Sequence, residues 1–118
     1  MYNKREIGKE KERLAGEFLK EQGYHILQYN FYGKSGEIDI VAREAGYLVF
    51  VEVKYRRNRK NGMPEEAVNY RKMLHLTRTA QYYMTCKGLG EDTPCRFDVV
   101  TVMDGRCTLY RDAFEAMV

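Results

Sequence analysis

Residues 36–55 read Gly36-Glu37-Ile38-Asp39-Ile40-Val41-Ala42-Arg43-Glu44-Ala45-Gly46-Tyr47-Leu48-Val49-Phe50-Val51-Glu52-Val53-Lys54-Tyr55. Two runs rich in β-branched and aromatic residues, 37–42 and Tyr47–Tyr55, flank the turn-forming segment 43–46, so the stretch spells an antiparallel hairpin. Side chains alternate faces along a strand. In the first strand Ile38 and Ile40 therefore take one face, and Glu37, Asp39 and Val41 the other. In the second, Leu48, Phe50, Glu52 and Lys54 share a face. If Ala42 and Tyr47 pair across the turn, Asp39 lies opposite Phe50 and diagonal to Glu52, within reach of it. Sliding that register by two keeps the shared face, whereas sliding by one destroys it.

The second strand is apolar on both faces until it ends on a carboxylate and an ammonium, whose α-carbons stand roughly 7 Å apart. Two neighbouring carboxylates repel, and one pKa must rise unless a cation lies between them. A divalent ion relieves that cost, and hard oxygen ligands suit Mg²⁺ or Mn²⁺. The ordinary alternative is a salt-bridge network of Lys54 with Glu52 or Asp39 at a solvated sheet end. Three features favour a ligand site: the spacing of Asp39, Glu52 and Lys54, the apolar run before them, and the basic run after them. That run, Lys54, Arg56, Arg57, Arg59 and Lys60, is by itself an ordinary solvated loop. Beside a carboxylate cluster it becomes a candidate phosphate-binding patch.

Outward from the hairpin, an amphipathic helix is expected over 4–21, with Ile7, Leu14, Ala15, Phe18 and Leu19 in its apolar stripe and Gly23 stopping it. Residues 24–31 are expected as a strand and 33–36 as a turn. Past the basic loop 56–63, Pro64 suits the first turn of a helix running to about Met84, with Glu65 and Glu66 at its positive end. A loop at 87–94, a strand at 96–103, a short strand at 107–110 and one or two helical turns in 112–118 complete the chain. The order implies a single α/β domain over 1–118, with a small mixed β-sheet flanked by helices.

Here the sequence resembles a known family. Gly36-Glu37-Ile38-Asp39 followed by Val49-Phe50-Val51-Glu52-Val53-Lys54 is similar to the PD-(D/E)XK nuclease superfamily. With Arg96-Phe97-Asp98-Val99-Val100 it resembles, more narrowly, the UPF0102 (YraN-like) proteins, distant relatives of archaeal Holliday junction resolvases. Gly8, Glu12, Ala15, Leu19, Gly23, Asn30, Gly62, Ala67, Val68 and Lys72 extend the match over nearly the whole chain. Ile38-Asp39 stands where the superfamily's "PD" is written.

The resemblance implies a restriction-endonuclease-like fold and a metal-dependent endonuclease acting on branched or recombination-type DNA. Asp39 and Glu52 would hold Mg²⁺ or Mn²⁺, with the Val53 carbonyl as a third ligand and Glu12 added from the first helix. Lys54 would orient or deprotonate the attacking water. Read from its helix alone, Glu12 is a solvated glutamate. Glu37 would assist from beside Asp39, and Lys72, with Arg56, Arg57, Arg59 and Lys60, would touch phosphate. A homodimer follows by analogy with the resolvases. Phosphate contacts do not separate DNA from RNA, so RNA stays open as a substrate. A non-catalytic DNA-binding adaptor of the same fold, serving recombination, repair or uptake, is the alternative.

Composition sets the outer limits. The 118 residues are 44% hydrophobic, enough for a core and too apolar for disorder. Cys86, Cys95 and Cys107 are odd in number and lack CxxC spacing, and His25 and His75 stand apart from them, so neither disulfides nor a His/Cys zinc site is expected. The charged N-terminus and the short apolar runs imply a cytoplasmic protein without a membrane span. The net charge is only +3, so the placement of the cations matters more than their number.

Overall fold

In the computed structural model, which describes residues 4–56 and 69–117 (side chains from residue 8 onward), seven elements follow one another. They are α1 (Lys4–Glu21), β1 (His25–Gly33), β2 (Gly36–Glu44), β3 (Tyr47–Tyr55), α2 (Tyr70–Cys86), β4 (Cys95–Met103) and β5 (Arg106–Phe114). The strands form one mixed sheet in the order β1-β2-β3-β4-β5. Every neighbouring pair is antiparallel except β3 with β4, which is parallel and spans the segment holding α2. This is the α/β architecture expected of a restriction-endonuclease-like chain.

Each face of the sheet carries a core. Ala15 and Leu19 of α1 pack with Tyr24, Ile40, Ala42, Val49, Val51, Val100 and Val102. On the opposite face Leu76, Ala80 and Tyr83 of α2 meet Ile38, Val41, Leu48, Phe50, Phe97 and Val99. Because β3 is covered on both faces, its run from Leu48 to Val51 must be apolar throughout, and all four residues are buried. Leu14, expected in the α1 stripe, is instead 38% exposed.

Local chemistry corrects several expectations. The β2–β3 turn is two residues, Ala45 and Gly46, both at positive φ (52° and 84°), so Glu44 rather than Ala42 faces Tyr47. Such a turn matches the twist of its strands, and the register slides by two. The second helix begins at Tyr70, because Asn69 is extended (φ −79°, ψ 173°) and its side chain caps the Lys72 N–H. The helix start expected at Pro64, with Glu65 and Glu66, lies outside the described residues. The C-terminal segment is not helical. β5 runs on to Phe114, and the Met117 N–H donates to Thr77 Oγ1 on α2 at 3.0 Å.

Candidate functional site

The β2–β3 ladder runs from Glu44↔Tyr47 to Ile40↔Val51 and stops. Its neighbours continue, β1–β2 to Gly33↔Gly36 and β3–β4 to Tyr55↔Val102. Beyond Ile40 and Val51 the sheet therefore splits into two arms, and Asp39 and Glu52 are the first residues inside the fork. Asp39 Oδ2 accepts the Val53 N–H at 2.8 Å, a side chain standing in for a strand carbonyl.

The fork also reverses the faces of its outer arm. Residues two apart in a regular strand share a face, yet Ile40 belongs to the α1-side core and Ile38 to the α2-side core. In β1, Tyr29 and Phe31 divide the same way. The reversal falls at Asn30, whose φ of 54° is a left-handed value that asparagine tolerates, and at Asp39 beside it in the ladder. The expectation that Ile38 and Ile40 share a face is thus overturned. The kink brings groups from both faces of the sheet to one point.

Glu12 from α1, Glu37 and Asp39 each offer a carboxylate oxygen, all within 4.8 Å of one another. Glu52, buried at 5% exposure, hydrogen-bonds Asp39 side chain to side chain, an arrangement that requires a proton between them. Burial, then the hydrogen bond and charge of Glu52, push the Asp39 carboxyl well above the usual range against the opposing Val53 N–H. Glu12 is raised too, by burial first and then by the charge of Glu37, although an Asn30 hydrogen bond opposes the shift. Glu12 Oε2 is buried with no hydrogen-bond partner. Glu52 Oε2, likewise without a well-formed hydrogen bond, has the Lys72 ammonium 3.0 Å away. A cluster of crowded carboxylates with orphaned oxygens fits a hard divalent cation.

Among the residues expected at the site, Glu12, Asp39 and Glu52 come together, and Glu37 is a full member of the cluster rather than an assistant at its edge. The Val53 N–H faces the fork, and a strand residue's carbonyl points to the same side as its N–H. Lys54 is half-buried, in register with Thr101, and forms no ion pair among the described residues. The lysine that reaches the carboxylates is Lys72, expected only as a phosphate contact. Burial alone would lower its pKa, but the charges of Glu52, Asp39 and Glu37 override that and hold it above the ordinary value. The Arg56 N–H donates to the Val102 carbonyl at 2.8 Å, continuing the β3–β4 edge. Arg57, Arg59 and Lys60 lie outside the described residues.

A second polar cluster sits at the other end of the sheet and was not expected. Asp98 is fully buried. It accepts from Tyr24 Oη (2.6 Å), from Arg96 Nε and Nη2 (2.9 and 3.0 Å), and from the Asp112 N–H (2.9 Å) inside a bulge of β5. Arg96 Nη2 also reaches Glu44 Oε1 at 2.8 Å. Every partner is matched, so this cluster is a clamp rather than a site. The Arg96-Phe97-Asp98 triplet was its only sequence signal.

The model for the family described as "Uncharacterised protein family UPF0102" matches residues 11–102. That span holds Glu12, Asp39, Glu52, Lys54 and Lys72. A UPF0102 protein of Lachnoclostridium phytofermentans is 53% identical over 114 residues, covering 97% of both chains. One from Symbiobacterium thermophilum is 47% identical over 117 residues, covering 95% of this chain and 98% of its own. One from Caldicellulosiruptor saccharolyticus is 49% identical over 100 residues, covering 85% and 84%. The chain belongs to the UPF0102 family.

Proposed function

We propose that this protein is a divalent-metal-dependent endonuclease that hydrolyses DNA phosphodiesters, with branched or recombination-type DNA as its substrate. The observation that carries the reading is the carboxylate cluster in the fork, with its buried, unpartnered Glu12 oxygen. Asp39, Glu52 and Glu12 would hold Mg²⁺ or Mn²⁺, with Glu37 and the Val53 carbonyl completing the donor set. Bound there, the ion supplies Lewis-acid activation of the phosphoryl group and of water, worth several kcal/mol.

The chain's own residues define the rest. Four carboxylates would repel a phosphodiester, so the approach of substrate depends on cations at the rim. Lys54 follows Glu52 on β3, Arg56 stands just past the strand's end, and Arg57, Arg59 and Lys60 come next in the sequence. Lysines beside the fork stabilise negative charge as it builds on the phosphate. The cores on both faces of β3 hold the fork rigid, which fixes the carboxylates before substrate arrives.

The test runs linear, single-stranded, flapped and four-way DNA, with matching RNA, in Mg²⁺ and in Mn²⁺. Glu52→Ala should lower cleavage by a hundredfold or more, an effect of about 3 kcal/mol on the barrier. In EDTA it should bind DNA as well as the wild type or better, since the lost carboxylate only repels phosphate. A wild type that binds DNA and cuts no substrate makes the protein a binding adaptor. Equal cleavage by Glu52→Ala refutes the site.

A further inference from the structure

Lys72 occupies an unfavourable position for a cation. Its backbone N–H donates to the capping Asn69 Oδ1, so it lies in the first turn of α2, where the helix dipole is positive and no acidic residue offsets it. Arg71 beside it adds a second positive charge. What holds the ammonium there is the cluster across the sheet. Its Nζ lies 3.0 Å from Glu52 Oε2, its side chain is 35% exposed, and the carboxylate it meets is 6% exposed.

We propose, resting on the metal-site reading above, that Lys72 is the built-in counter-ion of this cluster. It neutralises Glu52 while the fork lacks a divalent cation, and yields the carboxylate to the metal. It then turns toward the phosphate of the bound nucleic acid. Three placements argue for the exchange. The ammonium and a divalent ion would compete for the same Glu52 carboxylate, because it meets Lys72 through Oε2 and also hydrogen-bonds Asp39, which belongs to the candidate ligand set. Once the carboxylate is taken, both the ion and the helix dipole repel the lysine. Its flexible stem, partly exposed, gives the ammonium a route to the rim without moving α2. Lys54 is not an equivalent candidate, since it has no ion pair among the described residues while Lys72 is already docked.

The test is Mn²⁺ affinity of the full chain without DNA, by calorimetry and by electron paramagnetic resonance. Lys72→Met keeps the apolar stem and removes the charge, so it should bind Mn²⁺ about tenfold more tightly, the scale of repulsion between a divalent and a monovalent cation a few ångströms apart. Lys72→Arg, which restores a cation, should return to wild-type affinity. Arg71→Met changes net charge equally from the same helical turn and should shift affinity less than twofold. The second arm measures binding of a DNA duplex in Ca²⁺ and in EDTA. Lys72→Met should weaken binding several-fold and lower the salt slope by about one in Ca²⁺, with neither change in EDTA.

Unchanged Mn²⁺ affinity in Lys72→Met, with normal Mn²⁺ binding by the wild type, overturns the counter-ion role alone. Equal effects of Lys72→Met and Arg71→Met reduce the role to general electrostatics and also overturn it. Equal DNA affinity of wild type and Lys72→Met in Ca²⁺ overturns the transfer to phosphate. Failure of every variant, wild type included, to bind Mn²⁺ refutes the metal site itself.

Discussion

Asp39 accepts the Val53 N–H where one ladder ends, and Asp98 accepts the Asp112 N–H inside a bulge of another. Both are carboxylates repairing a gap in a sheet, but their surroundings are opposite. Asp98 is held by Arg96 and Tyr24, whereas Asp39 faces Glu12, Glu37 and Glu52. Removing the first should therefore cost stability, because it leaves Arg96 partly unpaired in a buried site. Asp98→Ala should destabilise the fold by about 3 kcal/mol or more, and Tyr24→Phe by about 2 kcal/mol, in urea titrations. Asp39→Asn should do the reverse without metal. Its amide oxygen can still accept the Val53 N–H, and its NH₂ can donate to Glu52 with no shared proton. The pH dependence follows from the raised Asp39 pKa. Between the ordinary carboxylate pKa and the raised one, the folded chain holds a proton that the unfolded chain has released. Wild-type stability is then fully present below about pH 4 and falls as pH rises through that window. Thus the advantage of Asp39→Asn in EDTA should grow from pH 5 to pH 8, while its cleavage is lost. An advantage independent of pH would mean that Asp39 is ionised in the fold.

At the scale of elements, the position of Glu12 depends on how closely α1 lies on β1. Gly16 is one helical turn after Glu12, and a Cβ there would overlap the Tyr29 hydroxyl and press on the ring carbons behind it. Alanine normally favours a helix over glycine by about 1 kcal/mol, but overpacking of this kind costs about 1–3 kcal/mol. Gly16→Ala should therefore lower the urea midpoint and loosen Mn²⁺ binding through displacement of Glu12. Adding Tyr29→Phe, which deletes the overlapping hydroxyl, should recover part of both. A Gly16→Ala protein more stable than wild type would show that α1 and β1 are less tightly joined. The elements were largely legible in the sequence because their apolar periods are long. α1 matches its expected span, and β3 is legible from its unbroken apolar run. The misses share one physical cause, local backbone choices that the period does not encode. Ala45 adopts a left-handed φ that alanine rarely takes, so the two-residue turn and the shifted register were hidden. The reversal at Asn30 and Asp39 was hidden because it needs two strands to change face together. Asp39 and Glu52 were still found, because a register slide of two preserves their shared face, whereas Glu12 was legible only through the family resemblance, its helix alone reading as solvated. Lys72 was assigned to phosphate alone, since nothing in a helix sequence states which carboxylate lies across the fork.

At the scale of the molecule, the fork joins α1 through Glu12, the β1–β2 arm through Glu37 and Asp39, and β3 through Glu52, with α2 reaching it through Lys72. A cation held there would bridge parts of the chain that are far apart in sequence, and an unfolded chain has no such cluster. Binding to the folded state alone stabilises it by about 2.7 kcal/mol at a hundred times the dissociation constant. For a domain of this size that is a rise of roughly 10 °C in melting temperature. The gain should depend on pH, because the proton that the raised pKa keeps on Asp39 must leave before that carboxylate can bind the ion. At a fixed Mn²⁺ concentration the shift should therefore be larger at pH 8 than at pH 6, opposite in trend to the stability of the metal-free protein. Glu12→Gln should reduce the shift and Asp39→Asn should nearly abolish it, while Asp98→Ala should lower the starting temperature and keep the shift. Differential scanning calorimetry over a Mn²⁺ series at both pH values separates these outcomes. Equal shifts in wild type and Asp39→Asn would locate the ion elsewhere on the molecule.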